Sequence, residues 1–160
     1  MVDSSASEYD IIIIGAGMVG AVAACLLAES NSLTKVAPLK IALIENSVAI
    51  PFNPDQFDPR VAAITENSRQ ILSGCGVWSD IEGLRASPYL AMNVWDAEST
   101  GRIRFDCHDI HAPNLGHIVE SRVIVEALLN KIASLDNVDF ICPTTIHQYR
   151  REHCLLYTSD

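Results

Sequence analysis

The sequence is short of positive charge. Lys and Arg number 11 against 20 Asp and Glu, a formal net charge of −9 over 160 residues. That balance excludes a chain built to grip nucleic acid, which needs a basic face. Paired cysteines are missing too. Cys25, Cys75, Cys107, Cys142 and Cys154 are scattered, odd in number, and form no C-x-x-C. This excludes a disulfide scaffold and fits free thiols in a reducing compartment, so the chain reads as cytoplasmic, not secreted. No internal repeat or low-complexity segment occurs, and no catalytic dyad or triad stands out. Basic residues are absent before Lys35. A secretory signal would begin with them, and a membrane span would be anchored by them.

That last absence bears on the most apolar stretch. The eighteen residues Ile11–Ala28, IIIIGAGMVGAVAACLLA, carry no charge. By length alone they could span a bilayer. By composition they divide. Ile11–Ile14 is β-branched and suits a fully buried parallel strand. Met18–Ala28 is rich in Ala, Leu and Met and suits a helix. Gly15-Ala16-Gly17 sits at the join. The acidic residues Asp3, Glu8 and Asp10 precede the run. These features favour a strand, a tight turn and a helix over a membrane anchor.

Hydrophobic residues make up 49% of the chain, enough for one domain with a real core. Met1–Glu8 reads as a frayed tail. Tyr9–Ile14 reads as a first strand, Met18–Glu29 as its crossover helix, Asn31–Leu39 as a loop, and Lys40–Glu45 as a second buried strand. Pro51, Pro54 and Pro59 make Asn46–Arg60 an extended excursion. A helix is expected over Thr65–Ser73, stopped by Gly74 and Gly76. Tyr89–Asp96 and Arg102–Asp106 read as two strands around a turn at Glu98–Gly101. Ser121–Ser134 has a helical period, and Val138–Ile141 reads as a short strand. The fold class is therefore α/β. A Rossmann-like parallel sheet with right-handed crossover helices is expected, and the hairpin at 89–106 begins a second sheet.

The glycines form G-x-G-x-x-G in its proper context. Gly15 permits the tight turn, Gly17 lets backbone amides reach a pyrophosphate, and Gly20 lets the helix pack close to the sheet. The helix start at Met18 and Val19 adds free N–H groups and a partial positive charge. Glu45 ends the next strand, 25 residues beyond Gly20, where a carboxylate accepts ribose hydroxyls and repels a 2′-phosphate. The fingerprint disfavours NADP and leaves FAD and NAD both open.

Later segments narrow the choice through resemblance. Asp58-Pro59-Arg60, a short helix and Gly76-Val77-Trp78 resemble the D-x-R…G-V-W segment of class A flavoprotein monooxygenases. Arg85-Ala86-Ser87, Met92-x-Val94-Trp95-Asp96, Phe105-Asp106 and Leu115-Gly116-His117-Ile118-Val119-Glu120 follow in order. Together they resemble the ubiquinone-biosynthesis hydroxylases, most closely the 2-octaprenylphenol hydroxylase branch, over roughly Tyr9 to Thr145. The resemblance implies an FAD enzyme, with NAD(P)H as electron donor. It would insert one oxygen from O₂ into a polyprenylphenol ring through a flavin C4a-hydroperoxide. Association with a membrane surface or a biosynthetic complex would follow from such a substrate. In relatives the arginine matching Arg60 contacts the FAD diphosphate, a role that suits a forked guanidinium; a surface ion pair with Asp58 is the alternative. Arg122 matches a position that often contacts flavin in the wider class, where the close branch commonly has Asn. Glu120 is either a helix-end residue or part of the site.

Other residues read more plainly. Cys107, His108 and His111 lack a fourth ligand and suit a solvated loop, so no metal site is expected. His117 is expected to shape a turn near the flavin. Trp78 and Trp95 suit core or interdomain packing. Cys25 suits an inert buried helix position. Relatives also carry later Asp-Gly and Gly-Asp motifs, absent here, so the chain reads as a truncated N-terminal fragment. The domain is expected over 9–149, and Cys154–Asp160 within the 150–160 end reads as foreign sequence. Alone, the chain is expected to bind FAD weakly or not at all and to be inactive. Another class A monooxygenase, or a stand-alone NAD- or ADP-binding module, is the alternative reading.

Overall fold

The computed structural model describes residues 8–30 and 37–148. The tail at 1–7, most of the loop read at Asn31–Leu39, and the segment 149–160 with its suspected foreign end lie outside the described residues. The uncharged run resolves into a strand, β1 (Ile11–Ile14), a turn, and a helix, α1 (Met18–Glu29). At twelve residues α1 is too short to cross a bilayer. No helix among the described residues is long and apolar enough to do so.

β2 (Ile41–Ile44) pairs in parallel with β1, Ile11 opposite Ile41. A late strand, β8 (Val138–Ile141), pairs in parallel with the other side of β2. The central strand is buried at Ile41, Ala42 and Leu43, as its composition predicts. β1 is not fully buried, contrary to expectation. Ile12 is 57% and Ile14 70% exposed, because β1 lies at the sheet edge and its helices cover one face only. On the covered face α1 packs against α4 (Ser121–Ile132). Ala21, Ala24 and Cys25 of α1 meet Val123, Ile124, Ala127 and Leu128 of α4 in one continuous core. Asn137 closes one end, its side-chain amide donating to the carbonyls of Ala28 and Leu39 at 3.2 and 3.0 Å.

Between β2 and α4 the chain builds a second layer that sequence periodicity does not show. β3 (Val61–Thr65), β4 (Ala86–Tyr89) and β7 (Gly116–Glu120) form an antiparallel sheet with β7 in the middle. α2 (Glu66–Gly74) and α3 (Trp78–Arg85) link β3 to β4. Thr65 caps α2 by accepting from the Ser68 amide, so that helix starts one residue later than expected. The strand read at Tyr89–Asp96 divides. Tyr89 ends β4 in this sheet, while β5 (Ala91–Trp95) turns away to pair with β6 (Arg102–Asp106). That hairpin has the expected register, Val94 opposite Ile103 and Met92 opposite Phe105, and those four apolar residues share an exposed face. Trp95 is 66% exposed, so it is not core; Trp78, 7% exposed, is. The segment Cys107–Ile110, read as loop, is one turn of 3₁₀ helix capped by Asp106.

The tightest backbone approach lies where α1 meets the turn. A Cβ on Gly20 would collide with the carbonyl oxygen of Gly15. Gly20→Ala is therefore expected to lower the unfolding free energy by about 1–3 kcal/mol. Helix propensity alone would favour alanine by about 1 kcal/mol, so the two accounts differ in sign. A urea midpoint equal to or above the parent's would refute the close approach.

Candidate functional site

The site grows from the turn after β1. Gly15 takes a φ of 97°, a left-handed conformation that glycine adopts without strain. Its amide donates to the Ile44 carbonyl at 2.8 Å, extending the β1–β2 pairing into the turn. Gly17 then caps α1 with extended backbone, and no side chain caps that helix. A Cβ at Gly17 would meet nothing within 4 Å. The uncapped amides open onto a cleft of about 480 Å³, with Gly17, Met18, Glu45, Arg60, Ser121 and Arg122 in its lining. The N-terminus of α4 enters the same cleft through Ser121 and Arg122, so two helix N-termini converge there.

Glu45 forms one end of the cleft. One carboxylate oxygen accepts from the Ala16 amide at 2.8 Å, and the other from Asn46 and Ser47 at 2.8 and 3.1 Å. These bonds, that from Ala16 foremost, hold the group below the ordinary carboxylate range. A carboxylate has about four lone-pair positions, so beside these three amides one position stays open to a hydroxyl donor.

The arginines form the other end. Arg60 is 76% exposed, with its guanidinium 3.6 Å from the Asp58 carboxylate. Ion pairing with Asp58 and a place in the cleft lining therefore coexist. Arg122 is mostly buried, with Nε donating to Glu120 at 2.9 Å and a terminal N–H donating to the Gln56 carbonyl. Glu120 is 3% exposed and is the one charged side chain buried in the core among the described residues. It also receives Arg85 at 2.5 Å and the Asp58 amide at 2.8 Å. Burial pushes this carboxyl up; the Asp58 amide and the two guanidiniums outweigh it and hold the group below its ordinary range.

The expected site residues thus separate in space. Gly17, Met18, Glu45, Arg60 and Arg122 share the cleft. Gly15 shapes the turn, and Gly20 faces the strand behind it. Val19 points away, 84% exposed, beside an apolar groove with Val22, Ile64 and Ile71. Sequence reasoning left the role of Glu120 open and gave Arg85 none beyond a motif. Their pairing joins α3 to the end of β7, 35 residues apart, and no local periodicity signals it.

Known proteins resemble this chain, although no family model matches it. It is 38% identical over 157 residues to "Ubiquinone biosynthesis monooxygenase COQ6, mitochondrial" of Danio rerio, covering 94% of this chain and 32% of that protein. It is 32% identical over 138 residues to the 3-demethoxyubiquinol 3-hydroxylase of Escherichia coli K12, covering 86% of this chain and 33% of that protein. The chain is a relative of the ubiquinone-biosynthesis monooxygenases. It spans about a third of the length of these curated relatives. Its fold is also that of PqsL from Pseudomonas aeruginosa, described as a probable FAD-dependent monooxygenase. That match has a TM-score of 0.61 at 16% identity, over 91% of this chain and 36% of PqsL.

In this ubiquinone-monooxygenase relative, the remaining candidates fall outside the cleft. His117 lies within β7 rather than at a turn, and its ring packs edge-on to Trp78 at 5.1 Å. Cys25 is fully buried, and burial pushes its thiol up to about 12, so it stays protonated and inert. The atoms of Cys107 and His108 cluster with Asp106, all within 4.8 Å, and not with His111. Arg104 and the His108 ring already engage Asp106 at 2.8 and 2.7 Å.

The pH dependence of Glu45 tests the clamp on the turn. Its lowered folded pKa adds stability above the unfolded value of about 4.3, and that stability is lost as pH falls through the folded value. Melting temperature followed from pH 7 to pH 3 should fall less steeply on the acid side for Glu45→Gln. Parallel acid limbs for the two proteins would contradict the clamp.

Proposed function

We propose that this chain is the adenosine-diphosphate-binding portion of an FAD-dependent aromatic hydroxylase of ubiquinone biosynthesis. One observation carries the reading: Glu45, the uncapped start of α1 and two arginines line a single cleft. Each matches a part of the nucleotide. Glu45 would accept the ribose hydroxyls. The α1 amides and the open face of Gly17 would take the pyrophosphate. Arg60 and Arg122 would balance its charge. The donor set fits an adenine dinucleotide, and the kinship with ubiquinone-biosynthesis monooxygenases favours FAD over NAD.

In this reading the flavin, when bound, supplies the oxygen-activating chemistry, and the protein supplies position. Gly17 leaves room for the phosphates, Glu45 fixes the ribose, and the cleft arginines hold the diphosphate against rotation. The substrate class would be a polyprenylphenol, with O₂ as co-substrate and NAD(P)H as the ultimate reductant. A prenyl tail would bring the protein to a membrane surface or a biosynthetic complex. The branch acting on 2-octaprenylphenol is the finer expectation.

Binding by the purified chain tests the cleft. ADP carries the moieties this cleft would hold, so calorimetric titration with ADP should show one site. Gly17→Val places a side chain among the phosphates and should weaken binding at least about tenfold, or 1.4 kcal/mol. ADP bearing a 2′-phosphate should bind more weakly than ADP because Glu45 repels it. Equal binding of ADP by parent and Gly17→Val would overturn the reading.

A further inference from the structure

Glu120 stands out as a buried charge for which the nucleotide reading has no task. It sits at the hub of contacts that converge on the extended segment 46–60. Its Oε2 accepts from the Asp58 amide at 2.8 Å and from Arg122 Nε at 2.9 Å. Asp58 in turn accepts from the Arg60 amide at 2.8 Å and pairs with the Arg60 guanidinium. One carboxylate oxygen therefore holds Arg122 directly and Arg60 through Asp58. These are the two arginines of the cleft.

The other oxygen, Oε1, takes Arg85. Arg85 also donates to the carbonyls of Pro54 at 2.6 Å and Gln56 at 3.4 Å. Its guanidinium lies over the rings of Phe57 and Phe52 at 4.1 and 5.0 Å. Arg122 donates to Gln56 as well, and Glu126 of α4 accepts from the Phe52 amide. The segment makes no helix or strand between residues 46 and 60. Four of its backbone groups, the Phe52 and Asp58 amides and the Pro54 and Gln56 carbonyls, are instead paired with side chains from α3, β7 and α4.

The chemistry explains why a buried carboxylate is needed. Arg85 and Arg122 both reach the Gln56 carbonyl, and two guanidiniums drawn to one point would repel without a negative charge between them. A carboxylate between them neutralises one charge and fixes two directions. We propose that Glu120, with Arg85 as its counter-ion, positions Arg60 and Arg122 to receive a diphosphate. Glu120 does not itself face the ligand and is a positioning residue. This inference rests on the nucleotide reading of the cleft.

Two variants and two ligands test it. Glu120→Gln keeps shape and removes charge; Arg85→Lys keeps charge and loses the fork. Hydrogen exchange in the ligand-free chain should show faster exchange of the Asp58 amide in Glu120→Gln. In titrations, Glu120→Gln should weaken ADP about tenfold and leave adenosine, which lacks phosphate, within about twofold. Arg85→Lys should fall between parent and Glu120→Gln. A general loss of folding would weaken both ligands alike and would overturn the positioning role. So would unchanged exchange at Asp58, or unchanged ADP affinity in Glu120→Gln while Glu45→Ala abolishes binding. A parent chain that binds no ADP overturns the nucleotide reading, and the positioning role with it.

Discussion

The whole arrangement depends on how closely α1 can approach the turn from which it springs. The helix face there is Gly20, Ala21 and Ala24, with no side chain longer than a methyl. Ala21 and Ala24 are fully buried, and Gly20 has no room for a Cβ. That approach brings the helix N-terminus to the end of the parallel sheet. It also leaves a trough that α4 fills with Val123, Ile124 and Leu128. A bulkier face on α1 would push α4 outward and separate Ser121 and Arg122 from Gly17. The apolar packing and the polar cleft are therefore consequences of the same short distance.

Two carboxylates then do comparable work, one lining the cleft and one enclosed behind its arginines. Glu45 binds backbone amides on both sides of itself, joining the β1 turn to the exit of β2. Glu120 binds a backbone amide 62 residues away and two guanidiniums. Both are held ionised by donors that the fold delivers. They differ in exposure, not in the number of protein donors, which is three for each. Glu45 lines the cleft, where its remaining acceptor position is open to a ligand, whereas Glu120 is enclosed. One can act on a ligand and the other only on the residues that would meet one.

What could be read from the sequence follows from how local each signal is. The β1–turn–α1–β2 unit is a contiguous pattern with fixed glycine spacing, and the structure places it within a residue or two. The hairpin of β5 and β6 also shows in alternation across a short turn. The sheet of β3, β7 and β4 does not, because its strands are short and partly exposed. β3 pairs with a strand more than fifty residues further on, Ile64 opposite His117. Neither strand carries a periodic signal long enough to separate it from loop. The full burial expected of β1 failed for a related reason. β-branched composition reports that a strand suits a sheet, not whether both of its faces are covered.

The scarcity of basic residues has a local counterpart in the structure. Three of the eleven, Arg60, Arg85 and Arg122, gather around one cleft and its supporting wall. Their charge is partly cancelled by Asp58 and Glu120, so the cleft is not a strongly basic surface. The positive potential that remains comes from two helix N-termini and the free edges of the guanidiniums. Such a field is short-ranged and directional, and it falls off within about one helical turn. It suits a compact diphosphate approaching along one line and is poorly matched to an extended polyanion. Under the proposed nucleotide reading, a chain with a net charge of −9 would hold a doubly charged phosphate group by oriented dipoles and few charges, without the broad basic face that nucleic acid requires.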